Sequence, residues 1–275
     1  MEIGTKSTLT IDRFTSVGAY LVDSNGNDIL LPQKYIPFNV EVGNEIEVFI
    51  YTDSEDRPIA TTLTPYAEKN EFAWLQVVHV SEFGAFLDIG LEKDILVPFK
   101  EQNAKMEADK SYLVFVYLDQ QTQRLVATAK INKYLAEDTS NLEENQKVSL
   151  LIGAKTPLGF QVIIDQTYKG IIFEDRLTRN LISGEKTEGY IEKIREDGKL
   201  DVSLEPVGIE KFENNEAKIM NFLEENDGTL FLHDKSSPEE IRELMEMSKK
   251  SFKKAIGALY KKKKIKINDS SVELI

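Results

Sequence analysis

The chain repeats itself, and an internal repeat restricts the possible architecture more than any composition can. Residues 15–34 contain Val17-Gly18-Ala19-Tyr20, a turn, and Asp28-Ile29-Leu30-Leu31-Pro32. Residues 80–100 contain Phe83-Gly84-Ala85-Phe86, a turn, and Asp94-Ile95-Leu96-Val97-Pro98. The parallel continues through 45–62 and 111–129, where an apolar run ends in Asp53 or Asp119 and resumes after Arg57 or Arg124. A weaker third copy begins at Leu158-Gly159-Phe160 and continues through 169–173, 187–194 and 197–204.

Each copy reads as five short strands separated by turns. In the second they are expected over 74–80, 85–89, 95–98, 112–118 and 125–128. Five short antiparallel strands in roughly 60–70 residues point to a small closed barrel of the OB type. Closure removes the free edges through which sheets aggregate. Each core is small, so neighbouring barrels should support one another.

After residue 208 the apolar period changes from two to about 3.6. Ala217, Ile219, Met220 and Leu223 suggest a first helix that Gly228 ends. Ser237-Pro238-Glu239-Glu240 is a capping box with proline in the first turn, followed by the apolar stripe Ile241, Leu244 and Met245. Ser248 can cap a third helix with Phe252, Ala255, Ile256 and Leu259 inside and Lys249, Lys250, Lys253 and Lys254 mainly opposite. Two short strands around a turn at 268–271 would complete a winged helix. The expected fold is therefore mainly β with a C-terminal α+β module. It comprises barrels over 1–65, 66–138 and 139–208, then a winged helix over 209–275.

Charge is distributed unevenly. The net value is −13, yet residues 248–275 hold nine lysines and two acids, +7 in sum, which leaves −20 for the remainder. A basic module can still meet a polyanion, because screening confines repulsion to about 8–10 Å. Cysteine is absent, which excludes disulfides and thiolate metal sites. The first residues lack a secretory pattern, and the run at 113–118 is far too short to span a bilayer. We expect a soluble, cytoplasmic monomer without a membrane partner.

Nothing in the motifs points to catalysis. The two histidines, His79 and His233, are far apart, and no zinc-protease, phosphate-loop or nucleophile-elbow pattern occurs. Acid pairs such as Glu143-Glu144 and Glu239-Glu240 fall near loops or helix ends. The expectation is a protein that is not an enzyme and has no catalytic residues, metal or cofactor.

Phe83-Gly84-Ala85-Phe86 and its flanking strands resemble the hallmark of the S1 RNA-binding domain. The segment from Asp119 through Arg124-Leu125-Val126-Ala127-Thr128 resembles that domain's closing hairpin. Three such copies followed by a basic helical module resemble the conserved virulence factor B family of bacterial RNA-binding regulators. The resemblance implies binding of single-stranded or loop RNA and regulation of gene expression by occupancy. RNA contact is implied best in copy two, where both aromatics stand. Copy one has Val17 at the first aromatic, and copy three has Leu158 and Gln161 at the two places. Pro32 and Pro98 stand near the place where S1 domains commonly carry a histidine.

Alternation supplies a separate argument. Ala85, Leu87 and Ile89 share one face of the strand, and Phe86 is left pointing out. An outward ring either stacks unpaired bases or covers a seam between barrels, and periodicity alone leaves both open. Phe83 can lie beside it, and Arg124, His79 and Lys100 can add phosphate or base-edge contacts. Tyr20 takes the same place in copy one, with Lys34 and Arg57 around it. Arg57 and Arg124 follow turns and can equally be solvated hairpin residues. The lysines of the third helix, extended by Lys261 and Lys263, can contact phosphates without reading sequence, or can meet an acidic protein surface. The competing function is an adaptor that joins proteins of the ribosome or the RNA-processing machinery.

Overall fold

The structure is a computed structural model that describes residues 1–205 and 209–275. The expected boundary at residue 208 lies outside the described residues. The chain divides into two compact units, Met1–Tyr134 and Leu135–Ile275.

The first unit holds two closed five-stranded barrels. Barrel 1 uses β1 (Lys6–Thr15), β2 (Gly18–Val22), β3 (Asp28–Pro32), β4 (Glu45–Thr52) and β5 (Pro58–Thr61). Barrel 2 uses β6 (Phe72–Val80), β7 (Gly84–Leu87), β8 (Ile95–Pro98), β9 (Ser111–Leu118) and β10 (Leu125–Thr128). The second unit opens with barrel 3: β11 (Lys147–Thr156), β12 (Gly159–Ile164), β13 (Tyr168–Phe173), β14 (Lys186–Ile194) and β15 (Leu200–Ser203). In each barrel the third and fifth strands pair in parallel, and the first pairs with the second and the fourth, which closes the sheet.

One long first strand serves two neighbours because a bulge bends it. The register shifts between Ile11 and Arg13, between Val77 and His79, and between Ile152 and Lys155. The bulge falls at the same place in all three barrels. The glycine that opens each second strand is equally constrained. A Cβ on Gly84 would lie 2.2 Å from the Val97 carbonyl oxygen, and Gly84 has φ +151°. No larger residue fits where β7 crosses β8.

Each barrel has its own core. Leu75, Val77, Ala85, Leu87, Val97 and Val116 fill barrel 2, and Leu150, Ile152, Val162, Ile172 and Val202 fill barrel 3. The closing hairpins share one backbone bond, from the N–H of Asp53, Asp119 or Arg195 to the carbonyl of Arg57, Arg124 or Lys199. Asp53 and Asp119 also accept backbone N–H groups of their own turns, so these aspartates shape hairpins.

The C-terminal module is a winged helix. It contains α1 (Ile209–Glu225), α2 (Pro238–Met245) and α3 (Lys249–Lys261). Ser237 and Glu240 form the expected capping box, and Ser248 caps α3. Phe252, Ala255, Ile256 and Leu259 are buried. Alternation in the tail predicts two strands, but the sheet has three: β16 (Thr229–Leu230), β17 (Ile265–Ile267) and β18 (Val272–Leu274), in the order β16-β18-β17. Two residues carry no readable period, so β16 is set by pairing with β18. No helix among the described residues is long and apolar enough to cross a membrane.

Candidate nucleic-acid interface

Barrel 2 turns its aromatic residues outward. Ala85, Leu87 and Ile89 are buried, whereas Phe86 is half-buried and Phe83 is 65% exposed. The register sets His79 beside Phe86 across β6 and β7, and their rings stack at 4.6 Å with 8° between planes. Leu96 faces Phe86 from β8. Ser81 orders the turn before β7: its N–H donates to the Gly84 carbonyl, and its hydroxyl accepts the Phe83 N–H. Phe83, Phe86 and His79, singled out from sequence, thus belong to one outer face.

That face borders a cleft of about 470 Å³, within the roughly 300–1,000 Å³ typical of small-ligand sites. Phe83, Phe86, Leu96, Lys93 and Arg124 line it from barrel 2, and Tyr51 and Thr52 from barrel 1. The barrel 1 wall comes from the β4–β5 hairpin, whose tip residue Asp56 has φ +63°. Asp56 accepts a hydrogen bond from the Arg124 guanidinium and lies 3.6 Å from the Lys93 ammonium. Arg124 holds the Asp56 carboxyl below the usual carboxylate range. Lys93 also donates to the Asp53 carbonyl at 2.7 Å. Asp94 lines the cleft, and burial together with the nearby Asp88 charge pushes its carboxyl up.

The other expected contacts lie elsewhere. Lys100 is exposed on the 3-10 turn Phe99–Glu101. Arg57 folds back onto Asp53 and Glu55 of its own hairpin. Lys34 donates to Glu92 across the seam between barrels 1 and 2. Tyr20 is half-buried under the Arg13 guanidinium, 4.1 Å from the ring centre. Arg124, read from sequence as a nucleic-acid contact or a solvated hairpin residue, lines the cleft and pairs with Asp56 across the seam. Sequence reasoning missed Lys93, Asp56, Leu96 and Tyr51. They sit in two repeats, and only folding brings them together.

The lysine surface of α3 is present in part. Lys253, Lys254, Lys261 and Lys263 are exposed, and Lys249 is half-buried. Lys250 is ion-paired at 2.8 Å with Glu192 of barrel 3, and Lys262 is paired with Glu216 of α1. Lys250 therefore helps to dock the helix.

Barrel 3 carries a different face. Phe160 occupies the place of Ala85 and is buried, while Gln161 stands where Phe86 does. The guanidiniums of Arg176 and Arg195 both lie over the Phe173 ring, 4.7 and 5.5 Å from its centre. Arg176 pairs with Glu192 and Asp201, and Arg195 with Asp201. From the winged helix, the buried Arg242 reaches Glu174 at 3.1 Å.

Comparisons agree with this architecture. The family model for the S1 domain matches residues 3–63 and 71–130, which are barrels 1 and 2. The model for the CvfB-like winged helix domain matches residues 217–274. An uncharacterized protein of Bacillus subtilis, YitL, is 30% identical over 274 residues, with 96% of this chain and 91% of the relative covered. Conserved virulence factor B of Staphylococcus epidermidis is 29% identical, with 91% and 87% covered. A solved multidomain protein with nucleic acid binding domains from Streptococcus pneumoniae aligns over 99% of this chain and 98% of its own. It shows 25% identity and a TM-score of 0.43. With three OB-type barrels, two of them matching the S1 domain, and a CvfB-like winged helix, the chain belongs to the conserved virulence factor B family.

Proposed function

We propose that this chain binds single-stranded or loop RNA in the bacterial cytoplasm and regulates gene expression by occupancy, without catalysis. The observation that carries the reading is the outward pair Phe83 and Phe86 beside a cleft that also contains Lys93 and Arg124. Aromatic faces stack unpaired bases of any identity, typically for about 1–3 kcal/mol per base. Arginine and lysine supply phosphate contacts. The S1 domain match over barrels 1 and 2 supports the same reading. The exposed lysines of α3 would add contacts that position a strand without reading its sequence.

A salt series with a fluorescently labelled single-stranded RNA tests this. Affinity should fall steeply as salt rises, with a log–log slope of about 0.7 per neutralised phosphate. Lys253→Glu combined with Lys261→Glu should flatten that slope, and the RNA should be recovered intact. Cleaved RNA would overturn the occupancy reading. Salt-independent or absent binding would favour an adaptor that joins RNA-processing proteins, a role consistent with the −20 charge outside residues 248–275.

A further inference from the structure

We infer that the cleft between barrels 1 and 2 is a composite nucleotide site in which an RNA phosphate displaces Asp56 from Arg124 and Lys93. This deepens the RNA-binding reading and rests on it. The aromatic wall, Phe83 and Phe86, belongs to barrel 2, and barrel 1 contributes Tyr51 and Thr52. The cleft has two cations, and both face one carboxylate from the opposite barrel. Arg124 donates to Asp56, and Lys93 stands 3.6 Å from it. An anion already occupies the place where a phosphate would bind once a base lies on the aromatic wall.

The exchange is feasible because the resident pair is exposed. The Arg124 side chain is 51% accessible and that of Asp56 39%. An ion pair so open to water contributes little. A phosphate brings the same charge with more acceptor oxygens, and its binding releases counterions. Asp56 also sits at a hairpin tip, where it can turn into solvent without disturbing a core. Barrel 1 thus contributes to RNA binding through a competing anion, beyond any stacking surface of its own. Removing that anion should strengthen binding.

The test uses the full chain and an eight-nucleotide labelled single-stranded RNA at moderate salt. Asp56→Asn is the informative variant, because asparagine tolerates the left-handed backbone at this position. It should raise affinity about threefold, the change expected from losing an exposed ion pair. The gain should vanish in the double variant Asp56→Asn with Arg124→Gln. Glu2→Gln cuts another ion pair between the two barrels, Lys69–Glu2, neither of whose residues lines the cleft, and should give no such gain. Equal gains from Glu2→Gln and Asp56→Asn would mean that a looser seam is responsible, and would overturn the proposal. Unchanged or weaker binding by Asp56→Asn, while Phe86→Ala still reduces affinity, would overturn the exchange and leave the RNA reading intact. Failure of Phe86→Ala to weaken binding would overturn that reading itself. Displacement of the RNA by polyglutamate as readily as by unlabelled RNA would assign the site to an acidic protein.

Discussion

Barrels 2 and 3 have the same strand order, the same bulge and the same hairpin bond, yet they use their outer faces in opposite ways. Barrel 2 places alanine in its core and phenylalanine outside, at Ala85 and Phe86. Barrel 3 places phenylalanine in its core and glutamine outside, at Phe160 and Gln161. It then sets two arginines over Phe173 that are themselves tied to Glu192 and Asp201. A two-residue exchange of inside and outside converts a face able to stack bases into one built for ion pairs. The barrel scaffold is indifferent to the choice, because closure depends on the glycine, the bulge and the alternating core.

The comparison can be broken at its shared part first. Gly84→Ala and Gly159→Ala should each destabilise their own unit by about 3 kcal/mol, since both force a Cβ to within 2.2 Å of a carbonyl oxygen. Chemical denaturation followed by a probe in each unit would measure this; tolerance at either site would show that the two strand crossings differ. Next, Arg242→Ala should cost about 2 kcal/mol in the second unit by leaving Glu174 without its guanidinium. Loss of stability in the first unit instead would contradict that assignment. Phe86→Ala should weaken RNA binding about tenfold, and Gln161→Ala should change it less than twofold. Equal effects in an anisotropy titration would erase the distinction between the barrels.

The smallest expected effect concerns pH. Arg124 depresses the Asp56 carboxyl, so the pair is intact above the unfolded value of about 3.9 and is lost only as pH falls through the lower folded value. The affinity ratio of Asp56→Asn to the parent chain should therefore stay constant between about pH 5.5 and 8. A ratio that drifts across this range would place another titrating group in the exchange.

Local features were legible in the sequence. Alternation in 85–89 put Phe86 outside, and the capping box at Ser237 and the inner face of α3 followed from spacing alone. Those patterns depend on neighbours within a few residues. The cleft was not legible, because Asp56 and Lys93 lie in turns of different repeats, where polar residues have no period. Lys250 read as a member of an open lysine face, and only its pairing with Glu192 reveals a docking role. Arg13 over Tyr20 escaped for a related reason: the bulge after Ile11 shifts which residue of β1 meets β2.

The ties from Glu174 and Glu192 to the last two helices have a practical consequence for dissecting the protein. Expressing barrel 3 without the segment from 209 onward would take one cationic partner from each of two partly sheltered carboxylates, leaving Lys155 beside Glu174 and Arg176 beside Glu192. Expressing that segment separately would leave an arginine with only 5% of its side chain accessible to pair with Glu239 of its own helix, without Glu174. Both truncated products should be poorer folders than their cores suggest, so residues 135–275 are best handled as one indivisible piece.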